Sequence, residues 1–249
     1  MGEGGPPQRD RAAIGPEFAT TRWSIVIAAG RESGAESRDA LATLCRLYWY
    51  PLYAFVRRRG FDPDQAADHT QAFFARLLER KIVRGANPDR GRFRGYLLGA
   101  LKHHLAHEWA HARAQKRGGG RESFSLDLSG AENRYRSEPA HDLTPEKTFD
   151  RQWAVTVLEL AMGELERQTA AAGKHRQFLR LKGFLAGGSL EAYREAAEDL
   201  GLTQGAVSVL VHRFRRRYRD LIREQIAETV QSQEEVDDEV RHLFAAVGA

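Results

Sequence analysis

The sequence predicts an all-α fold made of two helical domains joined by a flexible linker. Apolar residues recur at helical spacing along most of the chain. The short apolar run at 22–29 could extend as a strand, but no other segment could pair with it, so we expect a helix there too. A stretch rich in Gly, Ser and charged residues at 118–144 divides the helical segments into two groups and is the predicted linker.

The first group contains three long predicted helices. They lie at about 37–59, 63–79 and 92–115. Pro51 should kink or split the first of these helices, and Gly60 should end it. Asp62 can cap the second helix. Pro63 then occupies the first helical position, where a backbone N–H would have no partner within the helix, so its absence costs nothing.

The second group contains five predicted helices. They lie at about 145–169, 174–186, 189–200, 203–229 and 233–246. Thr144 precedes Pro145 and is placed to cap the first of them. The last helix belongs to an acidic C-terminal extension at 231–249, which could fold back onto the basic helix before it and compete with a ligand there.

Charge is distributed unevenly along the 249 residues, although the formal net charge is only +4. Arg-rich blocks at 92–121 and 212–223 suggest nucleic acid as a partner. The single cysteine, Cys45, excludes an internal disulfide framework and suits a reducing compartment. Residues 1–20 are rich in Gly and Pro and should be disordered. No run is apolar for the roughly 20 residues that a bilayer requires, so we expect a cytoplasmic protein without membrane contact.

The most specific pattern in the chain is YREAAEDLGLTQGAV at 193–207. Gly201 permits a left-handed turn between two helices, Leu202 is expected to fill the angle between them, and Thr203 can cap the second helix. This arrangement is typical of a helix-turn-helix, whose second helix enters the major groove of DNA.

The second helix of this motif has two distinct faces. Its apolar positions follow helical spacing and should pack: Val207, Val211, Phe214, Tyr218 and Leu221. Its polar positions lie on the other side and could reach bases and phosphates: Gln204, Ser208, His212, Arg215 and Arg219, flanked by Arg213, Arg216 and Arg217.

The order of motifs resembles that of extracytoplasmic-function sigma factors of the sigma-70 family. Region 2 of that family resembles YWYPLYAFVRR at 48–58, DPDQAADHTQAFF at 62–74 and GRFRGYLL at 91–98. Region 4 resembles the helix-turn-helix, which ends in HRFRRR at 212–217. The resemblance implies a region 2 domain at 21–117, a region 4 domain at 145–230, and a non-enzymatic subunit, without a cofactor, that directs core RNA polymerase to promoter DNA.

The resemblance also implies a role for individual residues. The face expected to bind the β′ coiled coil of the polymerase carries Asp64, Asp68 and Gln71. The residues expected to meet the opening −10 element are Phe93, Arg94, Tyr96 and Lys102. The side expected to read the −35 element carries Gln204, Ser208, His212, Arg213, Arg215 and Arg216. The same domain is expected to bind the β flap of the polymerase. Aromatic rings beside Arg and Lys are a suitable platform for single-stranded DNA.

Thr70 is a candidate phosphorylation site. Ala67 and Ala72 stand where the family usually has acidic residues, so the predicted polymerase face is short of negative charge. A phosphate on Thr70 would add about −1.5 to −2 charges beside that face. The resemblance therefore makes a Ser/Thr kinase, or alternatively an anti-sigma protein, a candidate regulator.

Two other functions remain open at the level of sequence. His107, Glu108 and His111 form a His-Glu-x-x-His pattern on a predicted helix, which a zinc hydrolase could use. Nearby positive charge at Arg113 and Lys116 disfavours a bound cation, so no metal is expected. The other alternative is a helix-turn-helix regulator that does not bind polymerase.

Overall fold

The computed structural model describes residues 35–79, 92–114, 128–137, 143–227, 230 and 232–248. Every secondary-structure element within these residues is a helix, which confirms the all-α prediction for the described part of the chain. The predicted disordered stretch at 1–20 and the predicted short helix at 22–29 lie outside it. Among the helices that are described, none combines the length and the apolarity needed to cross a bilayer.

Three helices form the first group. They are α1 (Ala35–Arg58), α2 (Pro63–Leu78) and α3 (Phe93–Ala114). Helix α1 continues through Pro51, so the expectation that this residue would split it is wrong. Asp62 caps α2 as predicted, because its side chain accepts a hydrogen bond of 2.8 Å from the backbone N–H of Gln65.

Within the range predicted as the linker, the structure describes a helix, α4 (Leu128–Ser137). Glu132 of α4 holds it against α1. Its carboxylate accepts hydrogen bonds from the Tyr53 hydroxyl at 2.7 Å and from Arg57 at 3.0 and 3.1 Å. Burial opposes ionisation of Glu132, but these bonds and the one from Arg136 outweigh it and lower its pKa.

The second group begins with a long helix, α5 (Pro145–Ala171), which Thr144 caps as predicted. It is followed by α6 (His175–Leu181), a short 3-10 helix (Lys182–Ala186), α7 (Leu190–Leu200), α8 (Gln204–Ala227) and α9 (Gln233–Gly248). The predicted helix at 174–186 is thus an α-helix that tightens into a 3-10 helix before Gly187.

Helix α5 is at the centre of the packing. It contacts α1 of the first group and α6, α8 and α9 of the second. Trp153 of α5 is buried, as are Tyr48 and Phe55 of α1. The two halves of the chain are therefore in direct contact across a common apolar core, and the acidic extension packs onto α5 and α8 as helix α9.

Candidate nucleic-acid interface

The turn between α7 and α8 has the geometry that the sequence predicts. Gly201 adopts a left-handed conformation, with φ 65° and ψ 37°. The backbone N–H of Leu202 reaches back to the carbonyl of Ala197 at 2.9 Å, which closes the end of α7. Thr203 caps α8, because its hydroxyl oxygen accepts a bond of 3.2 Å from the N–H of Ala206.

One expectation for this turn is wrong. Leu202 does not fill the angle between the helices, because its side chain is 39% exposed. The buried side chains near the turn are instead Ala196 and Ala197 of α7 and Val207 of α8. The small alanines allow the two helices to approach closely, so no large side chain is needed between them.

The apolar face of α8 packs as predicted. Val207, Val211 and Phe214 are buried, as is Leu221 two turns further on. Tyr218 is half-buried, and its hydroxyl donates a hydrogen bond of 3.1 Å to the carbonyl of Leu158 in α5. These contacts fix the rotation of α8 about its axis and so decide which side chains face the solvent.

The opposite face of α8 is exposed and basic. Its exposed side chains are Gln204, Ser208, His212, Arg213, Arg216 and Arg219. Neither Arg213 nor Arg216 has an ion-pair partner among the described residues. Two guanidinium groups on the free side of a rigidly packed helix can donate to phosphate oxygens or to guanine edges.

Arg215 was expected on the same face, but its side chain turns to the 3-10 helix. Its Nε and Nη2 donate to the carbonyl of Phe184 at 2.9 and 2.6 Å. Arg217 is similarly engaged with Gln168 at 2.9 Å and Glu224 at 2.8 Å. Arg215 therefore ties the 3-10 helix to α8 and is not available for base contacts in this conformation.

The residues expected to meet the −10 element begin at the start of α3, and two of them are buried. Phe93 has no exposed surface, and the edge of Tyr48 meets its ring at a centroid distance of 5.7 Å. Phe93 therefore packs in the core and cannot stack on a base in this conformation. Tyr96 is half-buried beside Phe93, with ring centroids 6.3 Å apart, and burial raises the pKa of its hydroxyl.

Arg94 is also buried, and it joins three helices. Its guanidinium pairs with Asp150 of α5, donates to Glu239 of α9 at 3.2 Å, and lies 4.6 Å from the centre of the Trp153 ring. Only 9% of the residue is exposed. The predicted contact of Arg94 with DNA would require this arrangement to open.

The acidic helix α9 also neutralises Arg92, immediately before α3. Arg92 lies 3.1 Å from Glu239 and 3.7 Å from Asp238. The extension packs against the helical core, and it pairs with the start of α3 more than with the exposed face of α8. Within α8, Arg223 pairs with Asp237.

Lys102 differs from these buried residues because its side chain is exposed. Its ammonium group lies 2.8 Å from Glu146 at the start of α5 and 5.9 Å from the ring centre of Phe55. The hydrogen bond from Lys102 is the main reason why the pKa of Glu146 is lowered. Lys102 can exchange this surface partner for a phosphate at little cost, since exposed ion pairs are weak.

The face expected to bind polymerase lies on α2. Asp64 and Asp68 are exposed, and Gln71 is half-buried. Ala67 lies next to Gln71 around the helix, at the border of the buried side, with only 4% of its surface exposed. An acidic residue at 67 would point into the core, so its absence does not reduce the charge of the exposed face.

Phosphorylation of Thr70 is not supported. Thr70 has no exposed surface, and its hydroxyl donates a hydrogen bond of 2.7 Å to the carbonyl of Ala66 one turn earlier. A kinase could not reach this oxygen in the folded chain, and a phosphate would place about two charges in an apolar core. Thr70 is a packing residue of α2.

The His-Glu-x-x-His pattern lies on α3. His107 is exposed and Glu108 is half-buried, while the side chain of His111 lies outside the described residues. No group of three or more His, Cys, Asp or Glu side chains that could hold a metal ion occurs in the described ranges. Within those ranges the structure adds no third ligand to the pattern.

Sequence reasoning missed the residues that hold α9 in place. Glu239 is only 2% exposed and lies on the same side of α9 as the buried Val236 and Leu243. A signal was present, because a carboxylate that interrupts an apolar stripe must find a cation when the stripe is buried. Its partners, Arg92 and Arg94, could not be identified from spacing.

Comparison with protein-family models, curated protein sequences and solved structures found no match to this chain.

Proposed function

We propose that this protein is a sigma factor of the extracytoplasmic-function type, which binds core RNA polymerase and directs it to promoters. The observation that carries the proposal is the exposed basic face of α8, held outward by a capped turn at Gly201 and Thr203. The order of region 2-like and region 4-like motifs along the sequence supports the polymerase part of the proposal.

In the proposed mechanism, α8 enters the major groove at the −35 element. Gln204, Ser208 and His212 lie on the exposed side, where they can meet base edges, and Arg213 and Arg216 can meet phosphates. Phosphate contacts would set the register of the helix, and the polar side chains would select the sequence.

Opening of the −10 element requires a change from the conformation described here. Arg92 and Arg94 are neutralised by α9, and Phe93 is in the core. The protein would therefore bind single-stranded DNA in a state in which α9 and the start of α3 have separated. The exposed carboxylates Asp64 and Asp68 need no such change to meet a partner.

The proposal is tested by co-purification with core RNA polymerase followed by promoter-dependent transcription. The full chain should elute with core and should start transcripts from a subset of genomic promoters. A double variant, Asp64→Ala with Asp68→Ala, should weaken binding to core, whereas Asp39→Ala, an exposed carboxylate on α1, should not. Failure of the full chain to bind core would refute the proposal.

A regulator that binds duplex DNA without polymerase is the second candidate. The observation that favours it is the direct packing of α1 against α5, which holds the two halves together. Such a regulator would bind duplex DNA through Arg213 and Arg216 equally well with and without core polymerase. A sigma factor should bind promoter DNA much better in the presence of core.

A further inference from the structure

A groove of about 430 Å³ lies between α8 and α9. Basic side chains from α8 form one wall: His212, Arg216, Arg219 and Arg223. Positions 212, 216, 219 and 223 are four, three and four residues apart, so these side chains form one stripe along the helix. Eleven residues at 1.5 Å each make the stripe about 16 Å long.

The other surface of the groove is apolar. Ile222 of α8 is buried, and Val240 and Phe244 of α9 lie one turn apart on the other wall. Phe244 is 55% exposed, although it is a large aromatic side chain. An exposed ring beside an apolar floor, bordered by positive charge, is typical of a surface that a partner covers.

Two of the three arginines in this groove have no ion-pair partner in the part of the chain that the structure describes. Arg223 pairs with Asp237 at one end, and a single acidic side chain, Asp220, lines the groove. Arg216 and Arg219 are exposed and have no ion-pair partner among the described residues. An occupant must therefore bring negative charge along one side and apolar groups along the other.

We propose that the groove between α8 and α9 binds an acidic amphipathic helix from a partner protein. Its apolar side would cover Val240 and Phe244, and its carboxylates would pair with Arg216 and Arg219. A length of about 16 Å corresponds to three turns of such a helix, which is the usual helix-in-groove mode of peptide recognition. Duplex DNA could use the arginines but would leave the apolar floor uncovered.

Occupation of the groove would affect DNA binding, an effect that rests on the proposed function. His212 and Arg216 belong both to the groove and to the face of α8 proposed to read DNA. A helix bound in the groove would therefore compete with promoter DNA for the same side chains. The binding itself requires neither DNA nor polymerase.

The test uses the full chain and a fluorescent synthetic peptide of about 16 residues, with Leu and Phe at helical spacing and Glu elsewhere. A scrambled peptide of the same composition is the matched ligand. Anisotropy at about 0.15 M salt should show binding of the amphipathic peptide at least about tenfold tighter than of the scrambled one. Equal binding of the two peptides would overturn the proposal, because charge alone would then explain it.

Variants of the protein locate the site. Phe244→Ser and Arg219→Gln should each weaken peptide binding by about five- to tenfold, about 1 to 1.4 kcal/mol. Leu190→Ser, at an 88% exposed leucine of α7 outside the groove, is the matched control and should bind normally. Arg219→Glu should regain binding when the facing Glu of the peptide is changed to Lys. Wild-type binding by both Phe244→Ser and Arg219→Gln would overturn the proposal, whatever the outcome with polymerase.

Discussion

Glu239 of α9 accepts a hydrogen bond of 3.2 Å from Arg94 of α3, a residue 145 positions earlier in the chain. The same carboxylate lies 3.1 Å from Arg92. Glu239 thus joins the acidic extension to the start of α3. Arg94 in turn pairs with Asp150, which connects the same contact to the central helix α5.

Removing the charge of Glu239 should destabilise the fold. Glu239→Gln leaves two arginines with less negative charge around them, although Arg94 keeps Asp150 and Arg92 keeps Asp238, so we expect a loss of about 1–3 kcal/mol. Asp238→Asn is the matched control on the next residue, because Asp238 is 46% exposed and its loss should cost less than about 1 kcal/mol. Urea denaturation of both variants gives the comparison, and equal losses would contradict a special role for Glu239.

Glu239→Gln should also strengthen binding of single-stranded DNA at low salt. It leaves Arg92 with only the longer contact of 3.7 Å to Asp238 and loosens Arg94, so each arginine that gains a phosphate adds about 0.7 to the slope of log affinity against log salt. Fluorescence anisotropy with a labelled oligonucleotide measures affinity and slope together. Adding Arg92→Ala to the same protein should reverse part of the gain, and an unchanged slope in Glu239→Gln would mean that α9 does not mask a DNA site.

Arg213 and Arg215 should behave in opposite ways although they are two residues apart. Arg213→Ala should leave stability within about 0.5 kcal/mol and reduce the salt slope for duplex DNA by about 0.9, because Arg213 is exposed and has no ion-pair partner among the residues described. Arg215→Ala should cost about 1–3 kcal/mol of stability, because the carbonyl of Phe184 loses both bonds from the guanidinium and keeps only the one from the backbone N–H of Gly187 at 3.2 Å. Thermal unfolding and DNA titration of the two variants should show this crossed pattern, and similar behaviour of both would refute it.

The turn before α8 provides a test of backbone conformation. Gly201→Ala should cost about 1 kcal/mol, because Gly201 has φ 65° and no neighbouring atom would contact the added methyl group. Gly205→Ala, four residues later in the first turn of α8, is the matched control and should be neutral or stabilising by up to about 1 kcal/mol. Denaturant unfolding of the pair checks this, and destabilisation by both variants would point to packing instead.

Stability should fall as the pH drops from about 6.5 to 4, partly because of His104. Burial and the charge of the neighbouring Arg76 lower the pKa of His104 to about 4. Arg76 can only donate, so Nδ1 of His104, 3.0 Å away, accepts and the ring is neutral. The unfolded chain binds a proton at higher pH than the folded chain, so the stabilisation is complete above about 6.5 and is lost on approach to pH 4.

His104→Gln should therefore flatten the pH dependence of unfolding between pH 6.5 and 4, because glutamine can accept from Arg76 but does not titrate. His103→Gln changes an exposed histidine on the same helix and should leave the curve unchanged. Chemical denaturation at several pH values measures the difference. Parallel curves for wild type and His104→Gln would assign the acid sensitivity to other groups.

Local features of this protein were predictable from sequence. The caps at Asp62, Thr144 and Thr203 and the left-handed Gly201 were all identified, because each depends on residues within four positions of one another. The apolar face of α8 was also correct, since helical periodicity alone determines which residues share a side. The all-α class follows from the same local signals.

Only the tertiary structure decided which long polar side chains are buried and which partners they have. Arg94, Arg213 and Arg215 look alike in sequence, but the first is buried against Glu239, the second is exposed, and the third holds a carbonyl 31 residues away. Thr70 likewise changed from a candidate modification site to a buried packing residue. Periodicity gives the side of a helix on which a residue lies. It does not give the helix that will pack there, because that choice depends on contacts between segments far apart in the chain.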